Sequence, residues 1–435
     1  MQSYPASGTP DGGAAAAPAA AAALRRGPSR IEEFGAAVAA GIIAYLLSCL
    51  VEPALTEPCG FGEFWQSMSE QPFAFVGQLP HRILSPLLAH WLGLDGLRFT
   101  DFTRLTGVLM LSLCYAVARR RGARAVDAWL ITLAIAFTGA IQIYKRGMVG
   151  YCDNLSYSLF LIGYLVARHG WAFWTVFFLN LLNHDLAAFF LPWMLFVRRQ
   201  AAPQSKLRWD VVAIVAVVAL YWGYRQYVKA HAPNWEYNEQ YFFDNMFLPI
   251  SFLWLWFLAS VHALLQFGPL LVIVLWHAWW PRPPRDRVHT LLVLVGIGSI
   301  FGFAYDVMRH TNMLFVPLLL ASTRFLVDAR SRVVFMLLIA LKIWMYREFL
   351  WQEPGDPSNG WLFEWFTGVM TMDCGGHVII LPEYRFDVAG HWELLKCALP
   401  RIWPVLFNFA WEILGIVALS RWLIRRNIGG PRWRP

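Results

Sequence analysis

The chain has 435 residues, of which 58% are apolar and only 15% charged, and it carries 23 Trp and 32 Phe. A soluble domain carries about 25% charged residues, so this composition excludes an ordinary soluble enzyme and points to an integral membrane protein. The net charge of +8 comes from short Arg clusters between apolar segments, where they orient helices rather than bind nucleic acid.

The apolar segments and the positive-inside rule together predict an all-α polytopic membrane protein of about 10–12 crossings, with a re-entrant hairpin and short interfacial helices. Residues 1–30 are predicted to form a disordered, Ala/Gly/Pro-rich cytoplasmic N-terminus. The chain start lacks the pattern of a cleaved signal, and Arg25, Arg26 and Arg30 precede a retained first helix, Phe34–Val51. The transmembrane domain is expected over 31–424, with outer loops at 52–98, 229–249 and 349–400, and a basic tail over 425–435 on the inner side.

Loop 52–98 contains EPCGFGEFWQSMSEQPFAFVGQLPHRILSPLLAHW and is expected to hold a short helix after His81, lying at the mouth of a buried polar site. Helix Phe102–Ala118 returns to Arg119-Arg120-Arg121, Val126–Tyr144 goes out to Lys145-Arg146, and Leu155–Val166 returns to Arg168. Trp171–Val197 starts and ends at inner-face charges, which one crossing cannot do. Its midpoint is Asn183-His184-Asp185, and polar groups there belong in a cavity. A hairpin of two half-helices with those residues at the outer tip satisfies both constraints.

Helix Val211–Val228 follows, then an interfacial helix Pro249–Leu264, and helices Leu265–Trp280, Thr290–Tyr305, Thr311–Leu326, Val333–Tyr346 and Trp403–Leu419. On this topology the titratable residues outside the inner-face clusters collect at the outer boundary. They include Glu52, Glu57, Glu63, His81, Arg82, Arg146, Asp153, His184, Asp185, Asp306, Arg309 and His310.

Each of these residues also has a bland alternative. Glu63, Glu52 and Glu57 are rival general bases, and equally ordinary loop carboxylates. Asp153 suits a helix N-cap as well as a site. His184 and Asp185 could be a mutually satisfied pair, but His plus Asp is an expensive choice inside an apolar segment. Asp306, Arg309 and His310 share one helical face at i, i+3 and i+4, where a local Asp–Arg pair is the simpler reading. Arg82, Arg146 and Arg309 near the outer boundary suit a phosphate or diphosphate.

The six cysteines form no CxxC or Cys/His pattern, which argues against zinc, and Cys59, Cys374 and Cys397 fall outside the membrane on this topology. No Walker A, GxGxxG, HExxH or GxSxG motif occurs, so nucleotide hydrolysis, dinucleotide redox chemistry and classical proteolysis lack a basis.

Glu63, Trp65, Met68, Pro72, Arg82, Leu84 and Pro86 form a pattern that resembles bacterial multi-pass proteins of GT-C-like glycosyltransferase architecture. Further similar points are Asp153 opening a helix, Asn183-His184-Asp185 leading to Leu191-Pro192, and Asp306, Arg309 and Pro317–Leu320. Glu63 stands where Asp is usual, His81 where Tyr is common, and Asp185 where Glu is common. The resemblance implies a polyprenyl-phosphate-linked sugar donor entering from membrane lipid, its phosphate held by Arg82, Arg309 and Arg146. An outward carboxylate, Glu63 first and Glu52 or Glu57 next, would deprotonate the acceptor. His184, Asp185, Asp153 and Asp306 would orient the site or bind a divalent cation, and His81 and His310 would join Arg82, Arg146, Asp306 and Arg309 in binding the substrate. The implied location is the bacterial inner membrane with the N-terminus in the cytoplasm. The competing readings are a transporter or flippase of a lipid-linked or anionic substrate, and a non-catalytic subunit working with partner membrane proteins. No internal repeat is visible, which speaks against transporters built from duplicated halves.

Overall fold

The computed structural model describes residues 29–233 apart from 59–60, 77–78 and 147, then 259–350 apart from 261, 281–283 and 301–306, two strands within 371–380, and 410–429. Several expectations therefore lie outside the described residues: the tail 1–28, the interfacial helix from Pro249, Asp306, the outer cysteines and the final basic residues.

Among the described residues the chain is helical except for one antiparallel pair. The helices are α1 Arg30–Val51, α2 Phe61–Glu70, α3 Leu84–Trp91, α4 Phe99–Arg120, α5 Ala125–Ala136, α6 Gly139–Arg146, α7 Asp153–Val166 and α8 Gly170–Asn183. They continue as α9 Leu191–Ala201, α10 Leu207–His231, α11 Leu271–Trp279, α12 Pro284–Ile300, α13 Val307–Thr311, α14 Phe315–Phe325 and α15 Ala329–Leu350. A last helix, α16, covers 410–425. The strands β1 Thr371–Asp373 and β2 Val378–Ile380 pair with Thr371 opposite Ile380.

Among the described residues, four helices are long and apolar enough to cross a bilayer: Ile31–Val51, Gly96–Arg120, Leu207–His231 and His262–Trp279. A fifth is available if α5 and α6 count as one span, bent by 46°. That bend replaces the straight helix expected over Val126–Tyr144. Its cause is local, because the Thr138 hydroxyl donates to the Ile135 carbonyl and the Gln142 amide takes the Ala136 carbonyl, satisfying groups that a continuous helix would have paired. The apolar side chains Val212, Val215, Leu220 and Trp222 of α10 face outward, as a lipid-facing helix requires.

The bundle has two chemically different ends. At one, Arg119 meets Glu33 at the start of α1, Arg120 meets the Leu165 carbonyl at the end of α7, and Arg198 donates to the Ala167 carbonyl at 2.6 Å. At the other, Lys145 donates to the Ser48 and Glu52 carbonyls, both at 2.8 Å, closing the end of α1, and Arg104 reaches the Leu55 carbonyl. The helices therefore alternate in direction as the charge pattern predicted, with Arg clusters gathered at one end. The segment around Asn183-His184-Asp185 is broken as expected. Helix α8 stops at Asn183, His184 is extended (φ −153°, ψ 107°), a 3-10 helix spans Asp185–Phe190, and α9 restarts at Leu191 with Pro192 in its first turn.

The core runs along α4, α5, α7 and α14, where Phe99, Met110, Leu111, Phe160, Phe315 and Phe325 are buried. Gly41 lets α1 lie directly against α4, since a Cβ there would stand 2.2 Å from Ser112 Oγ and 2.7 Å from the Val108 carbonyl oxygen.

Candidate functional site

The loop before α3, the first turn of α7, the break after α8 and the short helix α13 converge at the end of the bundle opposite the Arg clusters. They deliver His81 and Arg82, Asp153, His184 and Asp185, and Arg309 and His310, all buried. Asp153 does not cap α7. The N-cap is Cys152, which makes no side-chain cap bond, and the Asp153 carboxylate instead reaches Arg309, 156 residues away in sequence.

Arg309 grips Asp153 with two parallel bonds, Nε to Oδ2 and Nη2 to Oδ1, both 3.0 Å. This fork-on-fork geometry is the strongest form of such a pair. Arg82 makes the matching contact on the other side, with Nε at 3.0 Å and Nη2 at 2.7 Å from Asp185 Oδ1. His81 Nε2 stands 3.3 Å from Asp185 Oδ2, and Arg225 Nη1 is 3.9 Å from the same oxygen.

His184 joins the two pairs. Its Nε2 lies 2.8 Å from Arg309 Nη2 and 3.4 Å from Arg82 Nη1. A guanidinium only donates, so Nε2 accepts and the ring proton is assigned to Nδ1. The 3.5 Å approach of Asp153 Oδ1 to that same nitrogen is then proximity, not a bond. The result is a line of carboxylate, guanidinium, neutral imidazole, guanidinium and carboxylate, Asp153–Arg309–His184–Arg82–Asp185, assembled from four distant stretches of chain.

A second layer holds these groups in place. Ser85 donates to Asn183 Oδ1 at 2.5 Å, and the Asn183 amide donates to the Cys152 carbonyl at 2.9 Å and to Ser156 Oγ at 2.8 Å, tying α3, α8 and α7 together. The Tyr157 hydroxyl donates to the Arg309 carbonyl at 2.8 Å. The Arg309 guanidinium lies 4.8 Å from the Tyr151 ring centre and 5.9 Å from that of Trp65, in a cation–π setting. Trp65 arrives there because α2 is seated on the turn before α7. A Cβ on Gly62 would stand 2.1 Å from the Val149 carbonyl oxygen, and Gly150 adopts φ +86° at the contact.

The twelve residues singled out in the sequence thus separate into groups. Arg82, His81, Asp153, His184, Asp185, Arg309 and His310 come together, with the His310 ring 6.1 Å from that of His184. Glu63 does not join them. It is exposed on α2, two residues from the buried Trp65 and hence on the opposite helical face. Glu57 is exposed in the preceding loop. Glu52 is buried at the end of α1, where its carbonyl accepts from Lys145. Arg146 ends α6, its side chain lies outside the described residues, and so does Asp306. Arg309 pairs with the distant Asp153, and Asp185 is held chiefly by Arg82, with His184 Nδ1 at 3.8 Å.

Arg225 was missed by the sequence reading. The available signal was a lone Arg within the apolar run ALYWGYRQYV, which an outward-facing lipid helix would not place without a partner. Tyr151 and Tyr157 were missed as well, because aromatics are too common in this chain to stand out.

Burial pulls the His81 imidazole below its ordinary pKa, against the opposing pull of the bond to Asp185. Next to the Arg309–Asp153 pair, a cavity of about 20 Å³ is lined by Ser156, Tyr157, His184, His310 and Met313, among others. That is room for about one water, so any larger ligand must displace existing contacts. Among the described residues, no three His, Cys, Asp or Glu side chains gather to hold a metal ion. Comparison of the chain with protein-family models, with curated proteins and with solved structures finds no match.

Proposed function

We propose that this chain is a GT-C-like glycosyltransferase of the bacterial inner membrane, with about 10–12 crossings and a cytoplasmic N-terminus. On this reading it uses a polyprenyl-phosphate-linked sugar at the outer face. The observation that carries the proposal is the meeting of two guanidiniums and two carboxylates on His184, buried at the end of the bundle away from the Arg clusters. Two arginines at a buried site suit a phosphate leaving group. In the reaction, a carboxylate takes the proton of the acceptor hydroxyl, the acceptor oxygen bonds the anomeric carbon, and the bond from that carbon to the phosphate oxygen breaks. The phosphate leaves with the electron pair, held by arginine.

The base is Asp153 rather than Glu63, since Asp153 lines the cavity beside Ser156 and His184 while Glu63 faces away from it. Asp153→Asn and Arg82→Ala strains are expected to lose the same glycan in a glycan-profiling assay. Unchanged glycans in both, with the variant proteins present in the membrane at normal levels, would remove the proposal.

A further inference from the structure

Asp185 is approached from three directions by groups that bind anions. Arg82 makes two contacts to one oxygen, and His81 and Arg225 flank the other at 3.3 and 3.9 Å. Arg225 comes from α10, a helix that otherwise shows most of its surface to the outside. It reaches the site because the end of α10 packs on the loop before α3, where the Phe75 ring meets Tyr227 edge-on at 5.8 Å and Val228 packs with Phe75 and Ile83. Tyr221 stands one turn before Arg225 on the same face of α10, and Tyr224 one turn before Val228. Both hydroxyls are buried without a hydrogen-bond partner among the described residues, and Tyr221 lies within electrostatic reach of Asp185, Arg225 and Arg82. An unmade buried hydroxyl bond is costly, so these two phenols suit an acceptor that the described residues do not supply.

We infer that Arg82, Arg225 and Tyr221 form the phosphate-binding position, and that Asp185 is a built-in stand-in for that phosphate, displaced when the ligand arrives. This rests on the reading of the chain as acting on a phosphate-bearing substrate, and assigns the recognition to Arg82 and Arg225 instead of Arg82 and Arg309. A phosphate offers three or more acceptor oxygens where the carboxylate offers two, so it can satisfy both guanidiniums and the Tyr221 hydroxyl together. Displacement does not strand Asp185, because His81 Nε2 remains beside its second oxygen. Arg309 keeps Asp153 while the phosphate binds and acts as the clamp of the site.

The inference makes the effect of Asp185 opposite to that of a positioning residue. The test is binding of inorganic phosphate and of geranyl phosphate to the purified full chain in detergent, followed by calorimetry, for wild type, Asp185→Asn, Arg225→Gln and Tyr221→Phe. Removing the competing charge in Asp185→Asn is expected to tighten both ligands by roughly tenfold, equivalent to about 1.4 kcal/mol. Arg225→Gln is expected to weaken both by roughly tenfold or more. Tyr221→Phe is expected to weaken both severalfold while raising the melting temperature of the ligand-free protein, since it removes an unsatisfied hydroxyl. Tighter binding of geranyl phosphate than of inorganic phosphate in this same order of variants supports a lipid-borne ligand. Equal binding in that order supports a free phosphate at the same site.

Weaker or unchanged binding in a folded Asp185→Asn overturns the inference, as does absence of binding by the wild type. If Asp185→Asn does not fold, unchanged affinity in both Arg225→Gln and Tyr221→Phe overturns it equally. The expected affinity order together with an unaltered glycan profile would remove the glycosyltransferase reading and leave the phosphate site standing.

Discussion

The Arg309–Asp153 pair offers the sharpest test of how this site is held. Arg309→Met keeps an unbranched apolar stem and removes the guanidinium, leaving the Asp153 carboxylate buried without its fork. Both residues are under 5% exposed and both bonds are 3.0 Å, so solvent does little to screen the loss. Stranding one partner of such a pair costs about 3–5 kcal/mol. The 2.8 Å bond to His184 and the cation–π contact with Tyr151 disappear too, adding about 1 kcal/mol each. A total of about 5–7 kcal/mol is therefore expected, measured as loss of unfolding free energy in SDS titration of the purified protein. The double variant Asp153→Leu with Arg309→Met removes both charges at once and is expected to recover at least half of that loss. A single-variant cost below about 1 kcal/mol, or a double variant whose cost is the sum of the two singles, would refute a tightly coupled buried pair.

Three further predictions follow from local geometry. Gly41→Ala places a methyl on Ser112 Oγ and the Val108 carbonyl, so α1 must move off α4 at a cost of about 1–3 kcal/mol, read as a lower melting temperature. Gly62→Ala meets the Val149 backbone at 2.1 Å and lifts α2, so exchange protection is expected to fall across residues 61–70 while α5 and α14 keep theirs. For His81, the folded pKa is below the unfolded value of about 6.5, so its neutral form stabilises the fold above that pH and the contribution is lost as pH falls below it. Wild-type melting temperature should accordingly fall between pH 7 and pH 5 more steeply than that of His81→Gln; equal slopes would show that His81 is not the titrating group.

Much of this arrangement was legible in the sequence, for a physical reason. Charged residues in an apolar chain are so costly that their positions carry information, and the alternation of Arg clusters with acidic and histidine residues encoded the two ends of the bundle. The break at His184 was legible on the same ground, because three consecutive polar residues inside an apolar segment need a cavity. The choice of partners was not legible. Asp153 suited a helix cap as well as a site, and nothing in a linear sequence joins it to Arg309, 156 residues away. The bend at Thr138 was hidden too, because Thr and Gly in an apolar run reveal a break only when the bonds of Thr138 and Gln142 are seen.

Glu63 shows most clearly where the reading failed. Its place in the GT-C-like pattern marked it as the base, and α2 does approach the site, but through Trp65. A helix turns 100° per residue, so a side chain two positions from a buried one is carried to the far side. Trp65 of that helix faces the buried cluster and Glu63 does not. The carboxylates that do meet the arginines come from α7 and from the break after α8, where the chain has spare backbone freedom and Asn183 fixes the geometry through Ser85, Cys152 and Ser156. A site built this way depends on second-layer bonds between helices as much as on its charged groups. Asn183→Leu is therefore expected to disturb the site as severely as loss of Asp153, though it removes no charge. Retention of phosphate binding and of the glycan profile in that variant would show that the charged groups assemble without the Asn183 brace.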